Sequence, residues 1–351
     1  MTEPATGHVT VHETLPTRVL LGPGARHAIP AETERLGSRR VLLVATRSAR
    51  PAADELAAAL GPRLTACFDR PVAHTPVTVT EEALRTLRER DADSVVALGG
   101  GSAVGLAKAL SVRTGLPQIA VPTTYAGSEV TPVLGETRDS VKTTRRDPAI
   151  APGTVVYDPD LTLTMPPGLT RTSALNALAH AIEALWAPDA TAATDALATE
   201  AAEGILTALP AVLADPRALP GRARLQESAW LAGLCLAGIR MGLHHQLAHA
   251  LGGTFDLPHA ELHALLLAHV LAFNLPSAPK AAARLRRITG GDPVAAVADL
   301  ARGHDGPTTL RALGVPRASL RTIAERIAAE PYPNPRPLEA GALLGLLENA
   351  W

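Results

Sequence analysis

The stretch SVVALGGGS at residues 94–102 decides the fold of this chain. A short, mostly apolar run ends at Leu98, three glycines and Ser102 follow, and a helical pattern continues to residue 112. This order predicts a buried strand, a tight turn and a helix, which together make one βα unit. A plain turn needs only one or two glycines. Three glycines with Ser102 favour a phosphate site, because glycine lets the backbone N–H groups of a helix N-terminus approach an anion closely.

Similar βα units flank this one along the chain. Compact apolar runs occur at Val41–Ala45 and Ile119–Val121, and helical patterns occur at Ala52–Leu60 and Thr80–Arg88. Continuously apolar strands that alternate with helices predict an α/β fold, with a parallel sheet covered on both faces. The leader at residues 9–21 is expected to supply edge strands.

The character of the chain changes after Asp160. Strand signals nearly vanish, and alanine- and leucine-rich helical patterns run from about Arg171 to the end, with a loop expected at residues 331–337. We therefore predict an α/β dinucleotide-binding domain at residues 1–158 and an all-helical catalytic domain at residues 159–351. Clefts between two such domains are common ligand sites.

Composition and charge exclude several classes of protein. The chain has 33 basic and 34 acidic side chains and only 3% aromatic residues, so a nucleic-acid partner is disfavoured. Two cysteines exclude a disulfide scaffold and a cysteine-based zinc site. The N-terminus does not resemble a signal peptide, and no run of 18 purely apolar residues occurs, so we expect a cytoplasmic protein without a membrane span.

Two further groups of polar residues indicate a site. The loop PTTYAGSE at residues 122–129 follows the third apolar run, at the edge of the sheet where α/β proteins bind ligands, although an ordinary threonine-rich loop explains it equally well. The second half of the chain holds a group of histidines with helical spacing, which suits a divalent metal or proton transfer, although chance clustering on helix surfaces is the alternative. These histidines are His180, His244, His245, His249, His259, His263 and His269.

Several of these segments, in this order, resemble the iron-containing alcohol dehydrogenase superfamily. They are GGGS at 99–102, PTTYAGSE at 122–129, NALAH at 176–180 and the pattern H-x3-H-x9-H that begins at His245. Within the superfamily, the maleylacetate reductase branch is the most similar. The segments that resemble this branch are VKTT at 141–144, SALNALAH at 173–180, GLHH at 242–245 and GTFDLPH at 253–259.

The resemblance implies the dehydroquinate synthase-like fold of this superfamily, which agrees with the two predicted domains. It also implies NADH- or NADPH-dependent reduction of the C=C bond of maleylacetate to 3-oxoadipate, in the degradation of aromatic compounds. The enzyme is then expected to be a cytoplasmic homodimer that binds a small dicarboxylate and neither nucleic acid nor membrane.

Two departures from the family pattern concern the metal and the cofactor. In metal-dependent members an Asp and three His bind the ion, and Asn176 stands here at the Asp position, so we expect that no metal is required. If an ion is present, the resemblance assigns it to His180, His245 and His259. After the first predicted strand no carboxylate is present to repel a 2′-phosphate, and Arg47 is free to pair with one, so NADPH stays possible beside NADH.

Site residues are assigned by the same resemblance. His245 and His249 are the leading hydrogen-bond donors to the enolate that conjugate reduction creates, followed by His180 and His259, with Asn176 orienting a histidine or the substrate. The residues expected to bind substrate are Lys142, His244, Arg240 and Tyr125. The residues expected to bind the cofactor are Gly99, Gly100, Gly101, Ser102, Thr123, Thr124, Ser128 and Thr162.

Four other functions are compatible with these residues. The first two are a metal-dependent alcohol dehydrogenase or ketone reductase, and a biosynthetic reductase of another enone or keto acid. The third is a non-catalytic nucleotide sensor on the same fold. The last, a dedicated metal-transport site, leaves the glycine turn unexplained.

Overall fold

The computed structural model describes residues 14–139, 141–302, 306–330 and 332–351. The strands in this part of the chain are β1 (Arg18–Leu21), β2 (Val41–Ala45), β3 (Leu64–Phe68), β4 (Ser94–Gly99), β5 (Gln118–Pro122), β6 (Val133–Arg138), β7 (Val141–Arg146) and β8 (Thr154–Tyr157). The helices of the first half are α1 (Ile29–Arg35), α2 (Arg50–Leu60), α3 (Val77–Glu89) and α4 (Gly101–Thr114).

Six strands form one parallel sheet in the order β1-β8-β5-β4-β2-β3. Along β2, Val41 and Leu43 face α1 and α2, whereas Leu42 and Val44 face α3 and α4. Both faces of the strand are therefore buried, which is why its sequence is continuously apolar rather than alternating. The predicted α/β fold and the three predicted strands are confirmed. β1 lies at the sheet edge, as expected of the leader, whose residues 9–13 lie outside the described residues.

The hairpin of β6 and β7 lies outside this sheet and is absent from the sequence prediction. Every residue of β7 is exposed, and its sequence VKTTRR has no apolar face that would reveal a strand. Thr137 joins the hairpin to the loop before α3, because its backbone N–H donates to the carbonyl of Thr75 at 3.3 Å. This contact and a β-bridge between Pro76 and Thr137 hold the hairpin beside the start of α3.

The second half is helical, as predicted. Its helices are α5 (Pro167–Ala184), α6 (Ala192–Ala214), α7 (Leu219–Gly238), α8 (Leu243–Phe255), α9 (His259–Asn274), α10 (Pro279–Thr289), α11 (Pro293–Arg302), α12 (Leu320–Ala329) and α13 (Ala340–Ala350). α9 lies between two apolar clusters, one around α5, α6 and α7 and the other around α8, α12 and α13. Every residue of α5 from Thr172 to Ala184 is buried, so the polar residues on this helix lie inside the protein.

Helix α6 is long and apolar enough to cross a membrane, judged by length and composition alone. Residues such as Ala201, Ile205 and Leu209 are instead buried in the cluster around α5 and α7. The buried core helix of a soluble protein meets the same criteria, so α6 is weak evidence for a membrane segment.

The last strand ends at Tyr157 and the first long helix begins at Pro167, but the division into domains at residue 159 stays a prediction.

The loop at residues 123–131 packs directly against α7. A Cβ atom at Gly127 would lie 2.9 Å from the carbonyl oxygen of Ala229, and one at Gly233 would lie 2.3 Å from that of Gly127. Gly127 also has a φ of +74°, so glycine is required there for two separate reasons. The two halves therefore meet backbone to backbone.

We predict that Gly233→Ala destabilises the protein by about 1–3 kcal/mol, because the new methyl group overpacks this contact. Chemical denaturation measures the change. Gly238→Ala, near the end of the same helix, is the matched control, since its Cβ would have no atom within 4 Å. Equal stability of the two variants would show that the two backbones do not pack closely.

Candidate active site

A cleft of about 480 Å³ opens at the carboxyl edge of the sheet, beside the glycine turn. Gly99 has a φ of +152°, and a Cβ atom there would lie 2.7 Å from the side chain of Thr46, so only glycine fits. Of the predicted cofactor residues, those that line the cleft are Gly100, Ser102, Thr123 and Thr124. Helix α4 begins beside this space, at Gly101, and the N-terminus of a helix suits a pyrophosphate.

Four predicted cofactor residues are not among those that line this cleft, namely Gly99, Gly101, Ser128 and Thr162. Thr162 is fully buried and donates to the carbonyl of Pro159 at 2.8 Å, and the backbone oxygen of Ser128 accepts from Lys108 at 2.5 Å. Sequence analysis missed Arg26, which lines the cleft and forms ion pairs with Asp158 at 2.8 Å and Asp160 at 3.0 Å. Arg47 is exposed and is not among the lining residues.

Lys108 is a second residue that sequence analysis missed. Its buried ammonium also donates to the carbonyl oxygens of Thr131 at 2.8 Å and Val133 at 3.1 Å, which fixes the end of the PTTYAGSE loop. Burial lowers the pKa of this lysine to about 7, and the nearby Glu129 carboxyl opposes the change. The sequence feature that could have identified Lys108 is its place as a lone lysine among the apolar residues of this helix.

Six histidines of the second half converge near the same loop, whereas His269 lines other pockets. His180 Nε2 lies 3.2 Å from the carbonyl oxygen of Ala126, and His180 Nδ1 lies 2.8 Å from His245 Nε2. His245 Nδ1 in turn lies 2.7 Å from Glu183 Oε2. Since Thr123 and Thr124 line the cofactor cleft, a single loop connects that cleft to the histidines.

Glu183 was also missed from the sequence. Its two oxygens accept three hydrogen bonds, from the backbone N–H groups of Gly242 (2.9 Å) and His244 (2.7 Å) and from the His245 ring. These contacts place the carboxylate at the N-terminus of α8, where negative charge is favourable. The sequence feature that could have identified Glu183 is its position three residues after His180, on the same face of a buried helix.

A second layer of imidazoles packs behind His245. His244 Nε2 lies 2.9 Å from the carbonyl oxygen of His263, and the ring centroids of these two residues are 4.8 Å apart. His263 is fully buried, and neither of its ring nitrogens has a hydrogen-bond partner among the described residues. Ligand atoms of His244, His245 and His263 all lie within 4.8 Å of one another, a spacing that suits a metal ion.

His249 and His259 lie at the open end of the cluster, with ring centroids 6.2 Å apart. Loss of hydration, followed by the positive charge of Lys142, lowers the pKa of His249 to about 4. The same two causes hold the pKa of His259 well below its ordinary range. Both rings are therefore neutral near pH 7. The positive charge of Lys142, on the β6–β7 hairpin, disfavours protonation of both rings.

Two residues that were predicted to bind substrate have other surroundings. Arg240 is exposed and forms an ion pair with Asp189 at 3.4 Å. The hydroxyl of Tyr125 is buried between Thr162 and Arg222, at 3.2 Å from each. The structure thus gives Tyr125 contacts within the core and Arg240 a contact at the surface.

Asn176 lies one turn before His180 on α5. It is buried, and its Oδ1 atom has no hydrogen-bond partner among the described residues.

Comparison with known proteins identifies the family. The model for iron-containing alcohol dehydrogenases matches residues 16–159, and the model for the C-terminal part of this family matches residues 170–351. The chain belongs to the iron-containing alcohol dehydrogenase family.

Individual members of this family resemble the chain over nearly its full length. The maleylacetate reductase of Sphingobium indicum is 44% identical over 97% of both chains, and maleylacetate reductase 1 of Rhodococcus opacus is 43% identical over 96% of this chain and 94% of its own. The crystal structure of the maleylacetate reductase from Rhizobium sp. strain MTP-10005 superposes with a TM-score of 0.92 at 44% identity, over 98% of both chains.

The expectation that no metal is required is wrong. Membership of an iron-containing family, together with the buried histidine cluster, indicates a bound divalent metal. The expectation was wrong because it treated the replacement of one charged ligand by the neutral Asn176 as the loss of the whole metal site. The many neutral nitrogen donors that surround it compensate in number.

The hydrogen-bond network itself fits a cation. Three contacts join Glu183, His245, His180 and the carbonyl of Ala126, yet an ionised carboxylate and two neutral imidazoles carry only two protons between them. Burial lowers the pKa of both imidazoles and raises that of the Glu183 carboxyl. A shared proton or a divalent cation is therefore needed to complete the network.

We predict that Glu183→Gln lowers both metal affinity and kcat by about 10–100-fold, because the amide cannot accept all three hydrogen bonds, from the start of α8 and from the His245 ring, that the carboxylate accepts. Metal analysis after dialysis and steady-state kinetics measure the two effects, and a thermal melt checks the fold. Glu200→Gln removes an exposed ion pair with Arg224 and is the control. Unchanged metal affinity in Glu183→Gln would exclude a positioning role for this carboxylate.

Proposed function

We propose that this chain reduces the C=C bond of maleylacetate to 3-oxoadipate with NADH or NADPH. The observation that carries this proposal is its 41–44% identity to maleylacetate reductases, over nearly the whole length of both chains. The geometry supports the proposal, because one loop connects a cleft suited to a dinucleotide with a histidine cluster that has a lysine at its rim. By the same resemblance, we infer a cytoplasmic homodimer.

The cofactor and the metal each supply one part of the chemistry. A dinucleotide whose pyrophosphate is held at the glycine turn would supply, from its nicotinamide, a hydride for the alkene carbon β to the ketone. A divalent cation held within the histidine cluster, with His180, His245 and His259 as the family-matched residues, supplies positive charge that favours an enolate oxygen.

The protein's own residues bind the substrate and control its protons. Lys142 at the rim attracts a substrate carboxylate to the open end of the cluster. His249 is open to solvent. A dianionic substrate raises the pKa of this imidazole, so the ring is suited to take up a proton from water and to donate it to the carbon α to the ketone. His245 is fixed by Glu183 and His180, and it therefore orients the site and does not exchange protons with solvent.

The test of this function is turnover of maleylacetate by the metal-loaded protein. We expect oxidation of NADH or NADPH, and 4-deuterated cofactor should place one deuterium on the product carbon adjacent to the carboxylate that was conjugated to the alkene. Mass spectrometry and NMR locate the label. Reduction of simple aldehydes or ketones in the absence of turnover of maleylacetate would contradict the proposal and favour an alcohol dehydrogenase.

We predict that Lys142→Met raises the KM for maleylacetate about 10–100-fold and changes kcat much less, because a charged partner of the substrate is lost from the rim of the site. Lys280→Met removes an exposed lysine at the start of α10 and serves as the matched control. An equal KM in both variants would remove Lys142 from the substrate site.

A further inference from the structure

In the part of the chain that the structure describes, the histidine cluster contains no carboxylate that is free to neutralise a bound cation. Glu183 is the carboxylate that contacts the cluster within the described residues, and its oxygens already accept from two backbone N–H groups and His245. Glu330 lies nearby but accepts from the amide of Gln246 at 2.8 Å and is exposed. The other donor atoms that the structure places around the cluster are neutral, namely imidazole nitrogens and the carbonyl oxygens of Ala126 and His263.

Asn176 does not change this charge balance. Its position one turn before His180 places it on the face of α5 that carries the cluster, and its buried Oδ1 has no partner. An unpartnered buried oxygen is costly unless a donor or a cation meets it. Asn176 therefore offers an acceptor to a cation but adds no negative charge.

A divalent cation among neutral donors keeps nearly its whole charge, and burying uncompensated charge is expensive. Lys142 adds further positive charge at the rim, where it acts on His249 and His259. The site with its metal therefore has an excess of positive charge and needs an anion. The open end, between the hairpin and the two exposed histidines, is where an anion from solvent can enter.

We propose that a dicarboxylate ligand supplies this missing negative charge, so that the metal and the dicarboxylate each strengthen the binding of the other. The inference rests on the proposed function, since it assigns the substrate's carboxylates a role in holding the metal. It also explains how a site without an Asp ligand retains an ion during turnover. Thermodynamic linkage requires the two strengthening factors to be equal.

The experiment titrates the metal-free full-length protein with Co²⁺, which visible absorption follows, with and without saturating maleate as a four-carbon cis-dicarboxylate probe. We expect maleate to lower the Kd for Co²⁺ at least tenfold, at free Co²⁺ concentrations corrected for chelation by maleate. Calorimetry must then show the same factor for maleate with and without Co²⁺. Acetate, a monocarboxylate, is expected to have a smaller effect.

A substitution tests the physical reason for the coupling. Asn176→Asp places a carboxylate in the cluster, so we expect Co²⁺ to bind more tightly without maleate and the factor produced by maleate to fall. Asn349→Asp adds the same charge at an exposed position on α13 and should leave both values unchanged. An equal maleate factor in Asn176→Asp and the unaltered protein would overturn the charge argument.

The outcomes separate this inference from the proposed function. If the protein turns over maleylacetate but maleate changes the Kd for Co²⁺ by less than twofold, the inference is overturned and the proposed function stands. A large factor without turnover would support a metal-dependent dicarboxylate site and overturn maleylacetate as the substrate.

Discussion

The contact between the loop at residues 123–131 and α7 is the constraint on which the rest of the structure depends. Gly127 and Gly233 let two backbones touch, and Lys108 and Ser173 fix the two sides of the loop through hydrogen bonds. Thr123 and Thr124 then line the cofactor cleft while Ala126 meets His180. The distance between this cleft and the histidines is therefore set by one closely packed loop.

The buried histidines are stable as neutral groups because their surroundings are arranged to receive them. α5 is buried along nearly its whole length, so a polar residue on it must have a partner inside the protein. Glu183 provides that partner for His245 and also satisfies two backbone N–H groups at the start of α8, where the helix dipole favours its charge. Two features would be satisfied by a bound cation. The ring nitrogens of His263 lack hydrogen-bond partners, and the network through His180 and His245 has fewer protons than contacts.

Much of the fold was predictable because its signals are local. The runs at β2, β4 and β5 are apolar on both faces, and the glycine turn permits only a close βα connection. The β6–β7 hairpin was missed because β7 is fully exposed and its side chains follow no pattern of burial. Tyr125 was assigned to substrate because the loop that contains it is polar, whereas the tertiary fold buries its ring against Arg222 and Thr162. Lys108 and Glu183 were missed because their partners are backbone groups far away in the sequence.

The sequence by itself determined the class of fold, the glycine turn and the set of imidazoles from which the site is built. These properties depend on residue type and short spacing, which neighbouring residues alone specify. Only the tertiary structure decided which histidines are buried, which face solvent and which carboxylate holds them. Burial and hydrogen bonding between α5, α8 and α9 fix those choices, and they arise only when segments more than 60 residues apart pack together. The charge of the site follows from that packing, because Glu183 is used within the network and Asn176 is neutral.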